Sequence, residues 1–268
     1  MPAPAVSIEQ VVRVLEQLRA KRPLVHCLTN GVVKNFTANV LLSLGAAPAM
    51  VEHEEEAAEF AAIADALLVN VGTLDEPQMR AMRAAIASAN RAARPWVLDP
   101  VAVGPLGVRS VFARDLLAHR PTIIRGNASE IIACAGQMGR GRGVDSGDPA
   151  EQALHAASDL SNRTGAAVLV TGATDYAVAQ GRSSTCSNGH LLLTRVTGVG
   201  CAQGAVAAAC AAVEDSPLVA ASAAAVLMGV AGELAARKSQ RPGTFAVALL
   251  DALDELDSGL LKTEARLA

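Results

Sequence analysis

The sequence predicts an α/β fold in which a mainly parallel β-sheet carries helices on both faces. Short apolar runs alternate with longer segments of helical periodicity, and this alternation is typical of βαβ units. Hydrophobic residues make up 51% of the 268-residue chain and aromatic residues only 2%, so the core must be built mainly from Ala, Val, Leu and Ile. We find no internal repeat and no low-complexity linker, and the chain is therefore interpreted as a single domain, residues 1–268.

Six strands are predicted from the apolar runs. All but the second end in a small or polar cluster, such as Thr29-Asn30-Gly31 or Asp99-Pro100. In open parallel sheets, ligands bind beyond the carboxyl ends of the strands, so these clusters are expected to converge on one site. The predicted strands are Leu24–Leu28, Ala47–Val51, Ala66–Val71, Trp96–Asp99, Thr122–Arg125 and Val168–Thr171.

Helical patterns fill the connections between these strands and most of the carboxyl-terminal third. From Tyr176 to Val196 the pattern changes to short β-like pieces, with Ser187-Asn188-Gly189 as a hairpin signal. Gly136–Gly147 is the only candidate for a long loop. The predicted helices are Val33–Leu44, Gln78–Ala93, Pro149–Arg163, Cys201–Ala212, Pro217–Arg237 and Phe245–Leu256.

Composition argues against several classes of protein. The formal net charge of -3 disfavours a nucleic acid or an acidic membrane surface as the main partner. The amino terminus has no signal-peptide pattern, and the most apolar candidate for a membrane span, Leu218–Val230, is shorter than the ~20 residues that a bilayer requires. The five cysteines lack a C-x-x-C pair, which is typical of free thiols in a reducing cytosol. We therefore expect a cytoplasmic protein with neither nucleic-acid nor membrane partners.

A glycine-rich segment, Thr197–Ala205, precedes an alanine-rich helix. Glycine lets successive backbone N–H groups converge on one point, and the N-terminus of the following helix adds unpaired N–H groups and the positive end of its dipole. Gly198, Gly200 and Gly204 are therefore predicted to form a turn that binds a phosphate. The alternative interpretation is a tight strand-to-helix connection in which the glycines serve packing.

Cys201 lies inside this segment. Cysteine is among the residues most often buried, so a small core residue is one interpretation. A position at a helix N-terminus is expected to lower the pKa of the thiol, whereas an arriving polyphosphate would oppose that shift. From the residues alone, Cys201 could be a nucleophile, a weak general base or a passive wall of a pocket.

Three charged residues lie at or just beyond strand ends. Asp99 could be a magnesium ligand of a phosphoryl-transfer site or a turn cap. Glu130 follows Asn127 by three residues, which is the spacing of a capping box and equally compatible with metal binding. Arg125 ends an apolar strand, so its charge is expected to face a ligand or an acid.

Three uncharged residues at strand ends are further candidates. Thr171 could donate its hydroxyl to a phosphate or to a nucleotide, or belong to an ordinary turn. Met50 could line an apolar substrate pocket or belong to the core. Asn30 could form a turn or donate to a heterocyclic nitrogen.

Six long motifs occur in order along most of the chain: His26–Asn39, Asn70–Leu74, Val97–Val101, Ile123–Ile131, Gly143–Ser146 and Val170–Gly172. Together they closely resemble the signatures of the hydroxyethylthiazole kinase family. The resemblance implies a ribokinase-like three-layer α/β sandwich. It also implies a homotrimer that phosphorylates the alcohol of 4-methyl-5-(2-hydroxyethyl)thiazole with ATP and Mg²⁺, a salvage step of thiamine synthesis.

The resemblance further implies roles for matching positions. Met50, Gly198 and Asn30 are expected to contact the thiazole, in a pocket near a subunit interface. Cys201 falls where related sugar kinases carry a catalytic aspartate. We expect Cys201 to line the path of attack and to accept a proton weakly at most.

ATP and magnesium are expected at the other matching positions. The resemblance implies that Arg125 and Thr171 bind ATP, and that Asp99 and Glu130 organise Mg²⁺. The backbone N–H groups of the glycine turn, including that of Gly200, are expected to hold the phosphates.

The chain departs from the family pattern at several positions. Val199 replaces a hydroxyl residue of the glycine segment, and Gln203 replaces the usual apolar residue after the cysteine, while Ala102 with Pro105 could alter the loop beyond Asp99.

The rival functions are another kinase of this fold, such as one acting on a hydroxymethylpyrimidine, and a thiol-dependent group transferase with Cys201 as nucleophile. A third rival is a nucleotide-binding module without catalysis.

Overall fold

The computed structural model describes residues 5–136 and 153–268. In these two ranges, eight strands form one sheet and eleven α-helices pack around it. The strands are β1 (Leu24–Leu28), β2 (Ala47–Ala49), β3 (Ala66–Asn70), β4 (Trp96–Asp99), β5 (Ile123–Asn127), β6 (Ala167–Thr171), β7 (Asp175–Ala179) and β8 (Arg182–Cys186). The helices are α1 (Ile8–Lys21), α2 (Lys34–Leu44), α3 (Glu54–Ile63), α4 (Glu76–Arg91), α5 (Gly107–Leu116), α6 (Ala128–Cys134), α7 (Leu154–Thr164), α8 (Val199–Ala211), α9 (Pro217–Lys238), α10 (Pro242–Glu255) and α11 (Ser258–Glu264).

The sheet has the strand order β2-β1-β3-β4-β5-β6-β7-β8. Strands β1 to β6 run parallel, and β7 and β8 form an antiparallel extension. Since parallel strands end at the same edge, the last residues of β1, β3, β4, β5 and β6 lie side by side there. The prediction of a mainly parallel sheet is confirmed, and so is the expected convergence of the strand ends.

Alternate side chains of the sheet pack into two separate cores. In β3, Leu67 and Val69 pack against the helices α3 to α7, whereas Ala66 and Leu68 pack against α1, α2 and α8 to α11. Strands buried on both faces require nearly continuous apolar sequence, which the apolar runs supply. The three-layer α/β fold class is therefore confirmed.

The hairpin prediction at Ser187-Asn188-Gly189 is wrong. The turn between β7 and β8 lies at Gln180-Gly181, where φ is 50° and 74°, as a two-residue turn with both central residues in the left-handed region requires. Asn188 is buried beyond β8 instead, where its amide donates to the backbone oxygen of Glu264 (2.8 Å) and to the carboxylate of Glu233 (3.2 Å). Side-chain bonds of this kind to distant residues leave no local trace in the sequence.

Several other boundaries differ from the prediction. Strand β2 ends at Ala49, two residues earlier than expected. Helix α9 has 22 residues, long and apolar enough by composition to cross a membrane, but 89% of its apolar window is buried inside the fold. It is therefore the central helix of one core, since it supplies Val219, Val226 and many alanines to that cluster. The predicted loop after Gly136, the motif Gly143–Ser146 and the predicted helix start at Pro149 lie outside the described residues.

Candidate functional site at the carboxyl ends of the strands

The glycine segment is a helix start rather than a three-glycine turn. Helix α8 begins at Val199, so only Gly198 lies in the turn, with φ 95° as the N-cap residue. Gly200 and Gly204 lie within the helix, and a Cβ atom there would be 3.1 Å from Nη2 of Arg125 and 3.2 Å from Oδ2 of Asp99, respectively. The prediction that all three glycines form the turn is wrong. Two of them instead allow the helix to lie directly against the charged strand ends.

Four side chains form a hydrogen-bonded group at the ends of β1, β3 and β4. Asn30 Nδ2 donates to Asn70 Oδ1 (3.0 Å) and to the Sγ atom of Cys201 (3.3 Å). Asn70 Nδ2 donates in turn to Oδ2 of Asp99 (2.7 Å). Gly72 lies so close to this group that a Cβ atom there would be 2.8 Å from the side chain of Asn30. The group joins three predicted site residues, namely Asn30, Asp99 and Cys201, at the N-terminus of α8.

The thiol of Cys201 has a higher pKa than its position at a helix N-terminus suggests. Burial and the nearby charge of Asp99 raise the pKa of its thiol to about 11, against smaller opposing effects of Asn70, Arg125 and Asn30. The expectation of a lowered pKa is therefore wrong, because the negative neighbour and desolvation outweigh the helix terminus. The thiol stays protonated at neutral pH, which disfavours a role as nucleophile.

The two candidate metal ligands are buried carboxylates with raised pKa values. Burial raises the pKa of Asp99 to about 6, although Arg125 and Asn70 act in the opposite direction. Burial and the charge of Asp99 raise the pKa of Glu130 to about 7. In both carboxylates burial outweighs the opposing charge of Arg125, so the ionised forms are only partly compensated. A bound cation would stabilise both carboxylates in their ionised form.

The carboxylate oxygens of Asp99 and Glu130 are suitable ligands for a partly hydrated Mg²⁺ ion. Oδ1 of Asp99 is buried without a hydrogen-bond partner among residues 5–136 and 153–268. Both oxygens of Glu130 accept backbone N–H groups, from Ala102 and Asn127 at 2.8 Å each, and each oxygen retains a second lone pair. Within the same ranges, no group of three or more His, Cys, Asp or Glu side chains could hold a metal ion by itself. A pair of carboxylates completed by water and phosphate is the usual environment of Mg²⁺.

The capping interpretation of Glu130 holds as well. The side chain of Asn127 accepts the N–H of Glu130 (2.9 Å), and Glu130 accepts the N–H of Asn127, which together form a capping box at the start of α6. The same carboxylate therefore fixes the helix start and faces Asp99 closely enough to feel its charge.

Arg125 projects from β5 into the space between Asp99 and α8. Its Nε atom donates to Oε1 of Gln203 (3.0 Å), and Nη2 donates to Oγ1 of Thr171 (3.3 Å). Its Nη1 atom lies 3.7 Å from Oδ1 of Asp99. The guanidinium is thus the positive group of the site, and it is buried beside the first turn of α8.

The predicted residues extend in a row across the sheet edge. Met50 follows β2, the outermost strand, and is partly buried against the core. Thr171 ends β6, five strands away in the sheet, which corresponds to about 24 Å at the usual strand spacing. Asp99 ends β4 between them. Hence Met50 and Asn30 lie on one side of Asp99, and Arg125 and Thr171 lie on the other.

Three residues of this site are not predicted as functional by the sequence. Asn70 begins the motif Asn70–Leu74, and its position at the end of β3 is the available signal. Gln203 stands out in the sequence only as a departure from the family pattern. Asp175, which accepts a hydrogen bond from Gln203 Nε2 (3.1 Å), begins the antiparallel extension and carries no local signal.

Comparison with known proteins identifies the chain. The sequence model of the hydroxyethylthiazole kinase family matches residues 15–259. The chain belongs to the hydroxyethylthiazole kinase family. The resemblance of the sequence motifs to this family is thereby confirmed.

Named relatives of the kinase match over nearly their whole length. Hydroxyethylthiazole kinase of Kineococcus radiotolerans is 54% identical over 272 aligned positions, which cover 100% of this chain and 97% of the relative. The protein of the same name from Cronobacter sakazakii is 57% identical over 90% of this chain and 91% of its own. The kinase is therefore a phosphotransferase, as its family is.

Solved structures give the same result for the fold. The structure of a hydroxyethylthiazole kinase protein from Pyrococcus horikoshii OT3 superposes with a TM-score of 0.89 at 37% identity, covering 97% of this chain and 98% of that one. The pyridoxal kinase of Staphylococcus aureus in complex with AMP-PCP and pyridoxal has a TM-score of 0.60 at 15% identity, over 79% of this chain and 88% of that one. The kinase therefore has the predicted ribokinase-like fold.

Proposed function

We propose that this kinase transfers the γ-phosphoryl group of ATP to the hydroxyl of 4-methyl-5-(2-hydroxyethyl)thiazole, in a salvage step of thiamine synthesis. The observation that carries the proposal is the hydrogen-bonded group of Asn30, Asn70, Asp99 and Cys201 at the N-terminus of α8. This group occurs in a chain whose relatives are named for that substrate.

The row of strand ends supports separate places for the two substrates. The apolar thiazole fits the side of β1 and β2, where Met50 offers a thioether, Asn30 an amide and Gly198 a position without a side chain. ATP fits the side of β5 and β6, where Arg125 and Thr171 offer donors to its oxygens. The transferred phosphoryl group then lies between them, next to Asp99 and Cys201.

The start of α8 supports a role in holding the transferred phosphate. The first N–H groups of a helix have no partner within the helix, and the dipole adds positive potential at that end. The N–H of Gly200 is among them, and the absence of a side chain at Gly200 leaves room for the Arg125 guanidinium beside it. Phosphoryl transfer depends mainly on such positioning and charge neutralisation.

We assign the metal ion to Asp99 and Glu130. Bound Mg²⁺ would neutralise phosphate charge, which is the chemistry that these enzymes require of a metal. Asp99 would offer it Oδ1, which accepts no hydrogen bond among residues 5–136 and 153–268. Glu130, held by the N–H groups of Ala102 and Asn127, is positioned to orient metal-bound water.

Cys201 is proposed to line the path of the attacking hydroxyl. Its thiol is held by Asn30 and keeps its proton at neutral pH, because the pKa of the group is raised to about 11. A group in that state cannot act as the initial base, so correct placement of the hydroxyl supplies the main catalytic contribution.

We further propose a cytoplasmic homotrimer built from single-domain chains of residues 1–268. Free thiols at all five cysteines support the location. Support for the assembly comes from exposed apolar side chains after β1, on α2 and on α10, which packs against α2. They are Val32 (70% exposed), Leu42 (57%) and Val247 (62%). Light scattering is expected to give three times the 27.4 kDa chain mass, and a monomer in solution would exclude the trimer.

The activity is tested by ADP release from Mg-ATP with and without the thiazole alcohol. We expect release to depend on that alcohol and to be far slower with a hydroxymethylpyrimidine. Faster turnover of the pyrimidine would instead identify a different small-alcohol kinase. ATP binding without product would indicate a silent nucleotide-binding module, and a covalent adduct on Cys201 without an ATP requirement would indicate a group transferase.

A further inference from the structure

The side-chain amide of Gln203 links Arg125 to Asp175. Its Oε1 atom accepts from Nε of Arg125 (3.0 Å), and its Nε2 atom donates to Oδ2 of Asp175 (3.1 Å). Arginine is only a donor and an ionised carboxylate only an acceptor, so a single orientation of the amide satisfies both partners. Gln203 is buried in the second turn of α8. A side-chain amide at this position is not needed to form or cap the helix.

Asp175 is itself fixed at the far end of this chain of contacts. Its Oδ1 atom accepts the backbone N–H of Gly172 (2.9 Å), directly after the end of β6. The sequence of bonds therefore runs from the backbone at Gly172 through Asp175 and Gln203 to Nε of Arg125. We refer to these three side chains, Asp175, Gln203 and Arg125, as the relay.

The relay determines which edge of the guanidinium is free for a ligand. Nε has a single hydrogen, which Gln203 accepts, and Thr171 accepts one of the two hydrogens of Nη2. The remaining group, Nη1, is directed toward Oδ1 of Asp99 at 3.7 Å, beyond hydrogen-bond distance. An apolar residue at position 203 would leave Nε without this acceptor. The guanidinium would then be held at its Nη atoms by Thr171 and by the charge of Asp99, and its plane would be less well fixed.

We propose that Gln203 is a positioning residue, which holds the Arg125 guanidinium in the orientation that binds the nucleotide phosphates. The inference rests on the ATP-dependent activity proposed above and extends it to two residues, Gln203 and Asp175, that do not touch the reacting atoms. It also gives Gln203, a departure from the family pattern, a physical role. Arginine binds phosphate more specifically than lysine because its planar guanidinium can donate two parallel hydrogen bonds. Most of that gain is lost when the plane of the guanidinium is not fixed.

The first test is Gln203→Met, which keeps the length and burial of the side chain and removes both amide contacts. We expect the KM for ATP to rise about fivefold to twentyfold, the range expected for partial loss of charge-assisted hydrogen bonds. The KM for the thiazole alcohol and kcat should each change less than threefold. Val206→Ala is the matched control, because it alters buried packing in the same helix. It should lower the melting temperature without changing the KM for ATP.

The second test exchanges the two ends of the amide contact in Gln203→Glu/Asp175→Asn. In Gln203→Glu alone, two carboxylates face each other, and in Asp175→Asn alone, the donor of the Gln203 amide can face another donor. Each single variant should therefore raise the KM for ATP. In the double variant, the carboxylate introduced at position 203 accepts both from Arg125 and from the amide introduced at position 175. The KM for ATP should then return to within threefold of the wild-type value.

Calorimetric titration with ATP in the absence of turnover separates this inference from the proposed function. Weaker ATP binding by Gln203→Met with recovery in the exchange variant supports the relay, whether or not the wild-type protein phosphorylates the thiazole. Unchanged ATP affinity in Gln203→Met overturns the relay, and so does an equal loss of affinity for both substrates together with a lowered melting temperature. Failure of the wild-type protein to phosphorylate the thiazole would overturn only the proposed function.

Discussion

Asp99→Asn should stabilise the ligand-free protein while abolishing its proposed activity. Asp99 is fully buried, and Asn70 donates to one of its oxygens at 2.7 Å. An asparagine can keep that hydrogen bond through its amide oxygen. Its NH₂ group then replaces Oδ1, which accepts no hydrogen bond within the described ranges and lies 3.7 Å from Nη1 of Arg125. The substitution therefore removes a buried charge with little change of shape.

The magnitude follows from the pKa of the carboxyl. Burial raises this pKa from 3.8 to about 6, and a tenfold change in proton affinity corresponds to about 1.4 kcal/mol. The folded protein binds this proton more tightly than the unfolded chain, so the stability that the neutral form provides is lost as the pH rises from about 4 to about 6. Above that window the ionised carboxyl costs about 3 kcal/mol. Asp99→Asn does not incur this cost.

Urea unfolding at pH 4 and pH 8, without divalent metal or nucleotide, measures the effect. We expect the difference in unfolding free energy between Asp99→Asn and wild type to be about 2.5 kcal/mol larger at pH 8 than at pH 4, because the unfolded carboxyl is already partly ionised at pH 4. Asp115→Asn, which makes the same substitution at a carboxylate that is 46% exposed, is the control for the exchange itself. Equal differences for Asp99→Asn at both pH values, or a variant less stable than wild type at pH 8, would refute the reasoning.

Two further predictions concern the group of side chains at the start of α8. Cys201→Ser should retain most of the turnover, because the thiol is protonated and is proposed only to line the path of the attacking hydroxyl. Steady-state kinetics measure this. A loss of several hundredfold in kcat with unchanged substrate binding would show that the sulfur takes part in the reaction. Gly72→Ala should lower stability by about 1–3 kcal/mol, since its Cβ would lie 2.8 Å from Asn30, and should raise the KM for the thiazole alcohol more than that for ATP. Thermal unfolding and steady-state kinetics measure these two effects of Gly72→Ala. Gly107→Ala is the control, because position 107 has open space around it. An unchanged KM for the thiazole alcohol in Gly72→Ala would mean that Asn30 does not contact this substrate.

The fold is predictable from the sequence because its signals are local. The buried parallel strands are short apolar runs, and most are bounded by small or polar residues, as at Asp99-Pro100. The strand order requires the structure, since no local pattern encodes which strand lies beside which. The failure at Ser187–Gly189 has the same origin, because the environment of Asn188 is made by residues far along the chain.

The candidate site is predictable only as far as strand ends and motifs identify residues. Asn30, Asp99 and Cys201 are expected near one another, and hydrogen bonds join them through Asn70. The raised pKa of Cys201 is not expected, because burial and the approach of Asp99 depend on packing. The positions of Gly200 and Gly204 inside the helix escape prediction for a related reason. Their role is to make room for Arg125 and Asp99, which come from other strands.

The most direct test of the proposed reaction follows the transferred phosphoryl group itself. Wild-type protein is incubated with ATP labelled at the γ-phosphate, Mg²⁺ and 4-methyl-5-(2-hydroxyethyl)thiazole, and the ester and ADP are quantified together. We expect labelled thiazole phosphate in a one-to-one ratio with ADP, and neither product when the thiazole is omitted. ADP with label only in inorganic phosphate, or no ADP at all with the thiazole present, would contradict the proposal.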